Sequence, residues 1–426
     1  MTDPAYSPRY VRTVVALLVA AVAVEFFHRQ LLAIAVEPIR AELGFSDTEM
    51  GALVTAFAVA YGAAVLVFGR LSDRGSRRTL YALAIAVWSV GTALGGLVSG
   101  FAAFLLTRLV VGMGQAGAGA TNGPLVADYV PPARRATVMG IVTVGATLGV
   151  GLALGLGATA IEAFGWRMTF ALGGALGLLF AALFRAAVHE PPRGWSEGRT
   201  QEAGERHGLG EAARTIAGLR TFRHMVAGAI LASMALFAGA QWGPAFFQRT
   251  HALSLQAAGL VTGGIALLLT LGAVAGGVLS DRLWARNARG VLLLPAVCCG
   301  LAFPLSLGAY YAPSLASAIA MLALATMLAI VHAAPVGAVT QALAPLRMRG
   351  TISAVLNSLL TLFGLGVGPL ATGWLSDLAA GGGEGGLRTA LAGISALYLW
   401  AALHFALAAR TLPAELARSG GKQSAQ

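Results

Sequence analysis

Residues 69–78 read GRLSDRGSRR, and the start of that run returns at 277–282 as GVLSDR. Each copy lies in a short polar gap between two long apolar runs, 49–69 and 79–99 for the first, 255–279 and 290–311 for the second. A looser pair follows further along each half, PPARRAT at 131–137 and APLRMRGT at 344–351. The chain therefore reads as two halves built on one plan, with motifs in the gaps after the second and fourth apolar runs. Parallel repeats of membrane helices about an axis along the membrane normal are a known plan, with a binding site near the midplane.

The apolar runs decide the solvent. Of 426 residues, 57% are hydrophobic and only 11% charged, against about 25% charged in a soluble domain. About 20 apolar residues cross the hydrocarbon as a helix. Twelve such runs are predicted, at 13–37, 49–69, 79–99, 101–127, 134–160, 167–188, 223–246, 255–279, 290–311, 313–341, 350–377 and 388–410. The fold class expected is an all-α membrane protein of twelve transmembrane helices in two six-helix bundles. The 56 glycines suit it, because small residues let helix backbones approach where lipid gives little hydrophobic drive between them. The stretch from 189, HEPPRGWSEGRTQEAGERHGLGEAAR, is polar and carries two consecutive prolines. The organisation expected is an N-terminal bundle at 1–188, a linker at 189–222, a C-terminal bundle at 223–410 and a tail at 411–426. Glu25, His28 and Arg29 interrupt the first run, which marks a retained helix and not a cleavable signal. Cys298 and Cys299 are adjacent in an apolar run, without a metal-ligand spacing, and read as structural.

The net charge of +11 is carried in the gaps. One side of the membrane receives Arg9, Arg12, Arg70, Arg74, Arg77, Arg78, Arg134, Arg135, the linker, Arg282, Arg286, Arg289, Arg347, Arg349 and the tail. The other receives Arg40, Arg167, Arg249 and Arg388. Roughly 23 of the 29 basic residues fall on the first side, which is therefore expected to be cytoplasmic, with both termini. A reporter at Gly208 should be cytoplasmic and one at Gly382 external. The location expected is a bacterial inner membrane.

Ionisable residues inside spans are rare and mark cavities or paths. The first run holds VEFFHRQLLAI at 24–34, where Glu25, His28 and Arg29 stand at i, i+3 and i+4 and are expected on one face. They read as cavity residues, a reading compatible with a structural Glu25–Arg29 pair. In the fourth run Arg108, Gln115 and Asn122 lie seven apart and share a face. Arg108 either faces a cavity or snorkels to an interface. Arg29, nearer the midplane, is expected to dominate any binding of an anion. In the second half the in-span polar residues are Gln241 beside Trp242, His332, Gln341 and Asn357. His332 reads equally as a satisfied core histidine or a cavity residue, and Asn357 as an interhelical hydrogen-bonder or a cavity residue.

The loop GRLSDRGSRR resembles the signature loop of the major facilitator superfamily, and the resemblance runs along essentially the whole chain. In that family the loop latches the two halves in one state. The resemblance implies a gating role for Gly69, Asp73, Arg74 and Arg77, and for Asp281 and Arg282 in the second copy. Physically, Gly69 would permit close helix contact, Asp73 would face a helix N-terminus, and the arginines would hold the loop in the cytoplasm. The alternative is a solvated loop that sets topology alone. LLTRLVVGMGQAGAGA at 105–120 resembles the family's second motif, an arginine followed by spaced glycines. Within the family the chain resembles the spinster-like branch through HRQLLAIAVEPIRAELGFSD at 28–47, FGWRMTF at 164–170, EPPRG at 190–194 and GLGVGPLATGWLSD at 364–377. That branch implies export of lysophospholipids and sphingolipids, often proton-driven. His28 and Gln115 stand where the branch has an aspartate and a glutamate, so its coupling cannot simply be carried over. Glu25 is the carboxylate that remains.

No phosphate-binding Gly-Lys-Ser/Thr loop, His-Glu-x-x-His motif or nucleophile elbow is present, so no enzyme and no ATP-driven pump is expected. No cofactor or metal is expected. The partners expected are a small-molecule or lysolipid substrate, the bilayer and protons, with no nucleic acid, and the chain is expected to act as a monomer. The sequence thus reads as a secondary transporter of an anionic amphipathic molecule. The rival readings are a broad drug or organic-acid carrier and a non-transporting membrane sensor.

Overall fold

The computed structural model describes residues 6–192, 195–197, 209–345, 348–380 and 384–423. Gly208, Arg347, Gly382 and much of the linker lie outside the described residues. Those described contain helices and no strand. The helices are α1 Pro8–Ile34, α2 Val36–Leu43, α3 Asp47–Arg74, α4 Arg77–Gly95, α5 Phe101–Tyr129, α6 Pro132–Leu152, α7 Ala158–Ala187, α8 Leu209–Ala217 and α9 Arg220–His251. They continue as α10 Leu255–Arg286, α11 Ala288–Tyr310, α12 Leu315–Ile330, α13 Ala333–Leu343, α14 Arg349–Leu359, α15 Gly368–Ala380, α16 Glu384–Ser395 and α17 Leu397–Gln423.

Local chemistry explains the ends. Ser7 accepts from the Tyr10 amide and Ser76 from the Thr79 amide, so each satisfies an orphan donor at a helix start. Asn287 and Ser314 do the same for α11 and α12. Gly44 ends α2 in the left-handed conformation that glycine enters without strain.

Among the described residues eleven helical stretches are long and apolar enough to cross a membrane. One of them, Pro132–Ala187, has 56 residues, roughly 84 Å at about 1.5 Å per residue, far more than one crossing of about 30 Å. Gly165 breaks it with φ 77 and ψ 159. The pieces 132–164 and 166–187 can each cross, so the arrangement is consistent with twelve. The expected gap between the fifth and sixth runs is thus a single-residue break, because IEAFGW has no proline to end a helix and Gly165 alone leaves it. Four other expected runs are not continuous α-helix, those at 13–37 and 388–410 having single-residue breaks at Ala35 and Ala396. The run at 313–341 is interrupted at Val331 and His332, and the one at 350–377 winds into a π-helix at Leu360–Val367. A shorter π-helix, Ala153–Gly157, joins α6 to α7. Both π segments fall in glycine-rich apolar runs, where a wide turn meets little side-chain resistance.

The contacts divide the chain into two compact units. The first holds 1–45, 52–203 and 253–263, and the second holds 46–51, 204–252 and 264–426. In the first, α1 packs on α6 and α4 packs on α5 and α7. A Cβ at Gly145 or Gly149 would fall on the backbone carbonyls of Val19 and Ala23, so these two glycines let α6 approach α1. Tyr81 of α4 stacks on Phe184 of α7 at 4.9 Å. In the second unit α9 and α11 pack on α17 around fully buried Phe405, Ala401 and Met225.

Candidate functional site

Arg29 organises the polar centre of the first unit. Its Nη2 donates to Glu25 Oε1 at 2.7 Å and to Gln115 Oε1 at 2.8 Å, and its Nε donates to the same Gln115 oxygen at 3.0 Å. Gln115 Nε2 donates in turn to the Glu25 backbone carbonyl at 3.0 Å. One amide thus ties α5 to α1 through both of its ends. The guanidinium lies 4.5 Å from the Phe26 ring centre and 5.1 Å from that of Phe57 on α3. Such cation–π contacts stabilise a partly desolvated cation.

Arg108 also lies near Phe57, 5.4 Å from the ring centre. It is 3% exposed, and its Nε has no hydrogen-bond partner among the described residues. No carboxylate among the described residues forms an ion pair with it, whereas Arg29 has Glu25. Two guanidiniums therefore lie near one aromatic ring, and one carboxylate, that of Glu25, forms an ion pair with one of them. In a low-dielectric interior an excess positive charge attracts an anion strongly. Arg108 does not snorkel to an interface; it is buried.

His28 departs from the expected shared face. Glu25 and Arg29 differ by only about 40° around the helix, but His28 is turned about 100° from Arg29. Its Nε2 donates to the Gly173 carbonyl of α7 at 2.9 Å, and Nδ1 has no partner among the described residues. A Cβ at Gly177 would collide with the imidazole and with Ser89, so glycine there makes room for the ring. Asn122, on the Arg108–Gln115 face as expected, is half-buried with its Oδ1 unpartnered among the described residues.

Among the described residues no hydrogen bond joins the expected residues of the second unit to one another. His332 is buried, donates from Nδ1 to the Ala329 carbonyl at 2.6 Å and packs against Phe405. That is a core histidine at the α12–α13 break. Asn357 is exposed, and no hydrogen bond among the described residues joins it to Gln241 or His332. Gln241 is buried with Nε2 unpartnered, while its neighbour Trp242 donates to the Pro369 carbonyl at 3.0 Å.

The loop at 69–78 is held from below by groups the sequence reading did not single out. Arg77 is buried and forms an ion pair with Asp128 of α5. The Glu190 carboxylate accepts from the amides of Arg77 and Arg78, both at 2.8 Å, and from the Ser76 hydroxyl at 2.6 Å. An anion at the first turn of α4 is favoured by the free amides and the helix dipole. Tyr6 and Tyr10 donate to the carbonyls of Glu190 and Ala187, and so fasten the same segment. Asp73, Arg74, Asp281 and Arg282 are exposed. Among the described residues Gly69 has no atom within 4 Å of where a Cβ would stand, so the close helix contact expected there is not found among them.

A second network was also missed. In the second unit Arg249 makes two hydrogen bonds to the fully buried Asp47 carboxylate, at 2.7 and 2.8 Å, and Ser376 donates to the same group at 2.6 Å. Asp377 accepts from the amides of Asp47 and Thr48, at 3.1 and 2.8 Å, and caps the start of α3. Glu190, Asp47 and Asp377 lie in stretches read above for their polarity, hydropathy or resemblance, none of which singles out these carboxylates. The usable signal was the position of Asp47 beside Thr48 at a helix start.

The sequence matches the Major Facilitator Superfamily over residues 18–369. The chain belongs to the major facilitator superfamily. A solved bacterial homolog to the human lysosomal transporter Spinster, inward-facing and unoccupied, is similar at 26% identity with a TM-score of 0.89, covering 96% of this chain and 99% of that one. An MFS-type efflux pump of Mycolicibacterium smegmatis is 29% identical over 387 residues, 87% of this chain and 86% of the relative. A hexuronate transporter of Bacillus subtilis is 27% identical over 371 residues, 85% of this chain and 87% of the relative. The superfamily fold and the spinster-like resemblance expected from the motifs are both found. This major facilitator is an integral membrane secondary transporter, in a family of transporters and not of enzymes. Its polar centre in the first unit can bind and exchange charge: one salt-bridged arginine, one arginine without a carboxylate, and a carboxylate whose partner a second anion would compete for.

Proposed function

We propose that this major facilitator carries an anionic amphipathic molecule, of which a lysolipid is the example, by alternating access of the bundles at 1–188 and 223–410. The observation that carries the reading is Arg108, buried beside Phe57 with no carboxylate forming an ion pair with it among the described residues. An anionic headgroup supplies the missing charge. The similarity to a Spinster homolog supports an amphipathic substrate. The basic gaps support cytoplasmic termini in a bacterial inner membrane.

Coupling is proposed to run through Glu25. An anion that engages Arg29 competes with the 2.7 Å Glu25 contact. Released from its cation, the Glu25 carboxyl is free to exchange a proton. His28 modulates this from the α7 side. The gating role proposed for Asp73, Arg74, Asp281 and Arg282 rests on the motif resemblance, and for Arg77 also on its burial.

A second reading is a carrier of hydrophilic organic acids, favoured by the Bacillus subtilis hexuronate transporter. The deciding experiment is uptake in proteoliposomes with an anionic lysolipid, its zwitterionic analogue and a hexuronate. Uptake of the anionic lysolipid over its zwitterionic analogue supports the proposal. Uptake of hexuronate alone favours the second reading, and equal handling of both lysolipids removes the charge argument.

A further inference from the structure

On the opposite flank of α1 from the Arg29 cluster, the first unit carries an apolar groove of about 410 Å³ between α1, the α6–α7 junction and α7. Its walls include Phe27, Leu156, Phe164, Leu172 and Leu176, and His28 lies at its base. Leu156, Phe164 and Leu176 are each about two-thirds exposed, so the groove opens outward from the unit. These residues lie on stretches that cross the membrane, and what meets an outward face there is hydrocarbon.

The groove has a defined start and depth. At one end stands Phe164, two residues from Trp166, whose indole donates to Glu42 at 2.6 Å, and three from Arg167, which donates to the same carboxylate at 2.6 Å. A tryptophan and an arginine in polar contact mark the membrane–water interface. From Trp166, just past the break at Gly165, to Leu176 is about 15 Å along a helix at about 1.5 Å per residue, half of the roughly 30 Å hydrocarbon core. The groove therefore runs from the interface to the bilayer centre, the depth of one leaflet. Its floor is opened by Gly173 and Gly177 and by the wide π turn at Ala153–Gly157.

We propose that this groove is a binding site for one acyl chain of a phospholipid in the leaflet on the Trp166 side, separate from the transported molecule. The match of length, the apolar lining and the interfacial marker at one end specify a chain that enters from that interface. A bound chain sits against His28, on the helix that carries Arg29. It thus holds α1 against α7 from the lipid side.

The test is photolabelling of the full chain in phosphatidylethanolamine–phosphatidylglycerol vesicles with a trace of phospholipid bearing a diazirine in its acyl chain. Labelled peptides from 152–177 should exceed those from the exposed apolar face of α10 at Leu267 and Leu271 several-fold. Ala160→Trp, which fills the groove, should bring that excess to background, while Leu179→Trp, an exposed site on α7 outside the groove, should leave it. If Ala160→Trp fails to reach the membrane, Leu172→Trp takes its place. Uniform labelling, an excess that survives the filled groove, or crosslinks to a second copy of the chain in place of lipid would each overturn the proposal. Loss of the label on adding an anionic lysolipid or a hexuronate would also overturn it, because the groove would then belong to the transport route.

Discussion

Arg29 on α1 and Gln115 on α5 share two hydrogen bonds, at 2.8 and 3.0 Å, through a single amide oxygen. The same arginine holds Glu25. Gln115 thus takes a hydrogen-bonding place beside Arg29 without adding a charge. One carboxylate is left to answer both Arg29 and Arg108, and the predictions about transport follow from that imbalance.

Glu25→Gln should abolish pH-driven accumulation while leaving substrate exchange intact. The glutamine keeps a hydrogen bond to Arg29 but cannot take up a proton. Accumulation and counterflow in liposomes with an imposed pH gradient separate the two. A wild type that neither responds to the gradient nor moves protons would make the chain an uncoupled facilitator.

Arg108→Ala should weaken an anionic ligand by at least about tenfold, equivalent to about 1.4 kcal/mol. It should also erase the preference over zwitterionic analogues. Position along the span pointed instead to Arg29 as the stronger anion site. We expect the reverse order, since Arg29 forms an ion pair with Glu25 and no carboxylate among the described residues forms one with Arg108. Binding isotherms for Arg29→Ala and Arg108→Ala with matched ligands decide between them.

Asp128→Asn should destabilise the first unit far more than Glu190→Gln. The first leaves a buried guanidinium, that of Arg77, without its carboxylate, a loss of about 3–5 kcal/mol when a buried pair is broken. The second weakens a cap at the start of α4, worth about 1 kcal/mol. Thermal unfolding in detergent should rank them in that order, and similar shifts would show that the Arg77–Asp128 pair is not a principal support.

Glu42→Gln should make unfolding less sensitive to acid. Hydrogen bonding from Arg167, with help from the Trp166 indole, holds the Glu42 carboxyl below its ordinary value. A carboxylate depressed on folding stabilises the protein above its unfolded pKa, about 4.3, and that contribution is lost as pH falls through the lower folded value. The Tm of the wild type should therefore fall more steeply than that of the variant below about pH 4, and the two should run parallel near neutrality. The side chain is 47% exposed, so the difference is small.

The sequence by itself determined the solvent, the duplication and the family. Apolar runs of membrane length are a one-dimensional signal, because in lipid each helix must satisfy its own backbone and needs no partner to be recognised. Helical spacing likewise brought Glu25 to Arg29 and aligned Arg108 with Gln115. Only the tertiary structure decided who answers whom across helices. His28 turned away to the Gly173 carbonyl and His332 went into the core. Asp128 found Arg77, Glu190 capped α4, and Asp47 found Arg249. Those pairings join residues from about 50 to about 200 positions apart. No local period encodes them, because they depend on how helices rotate and approach when small residues let their backbones meet.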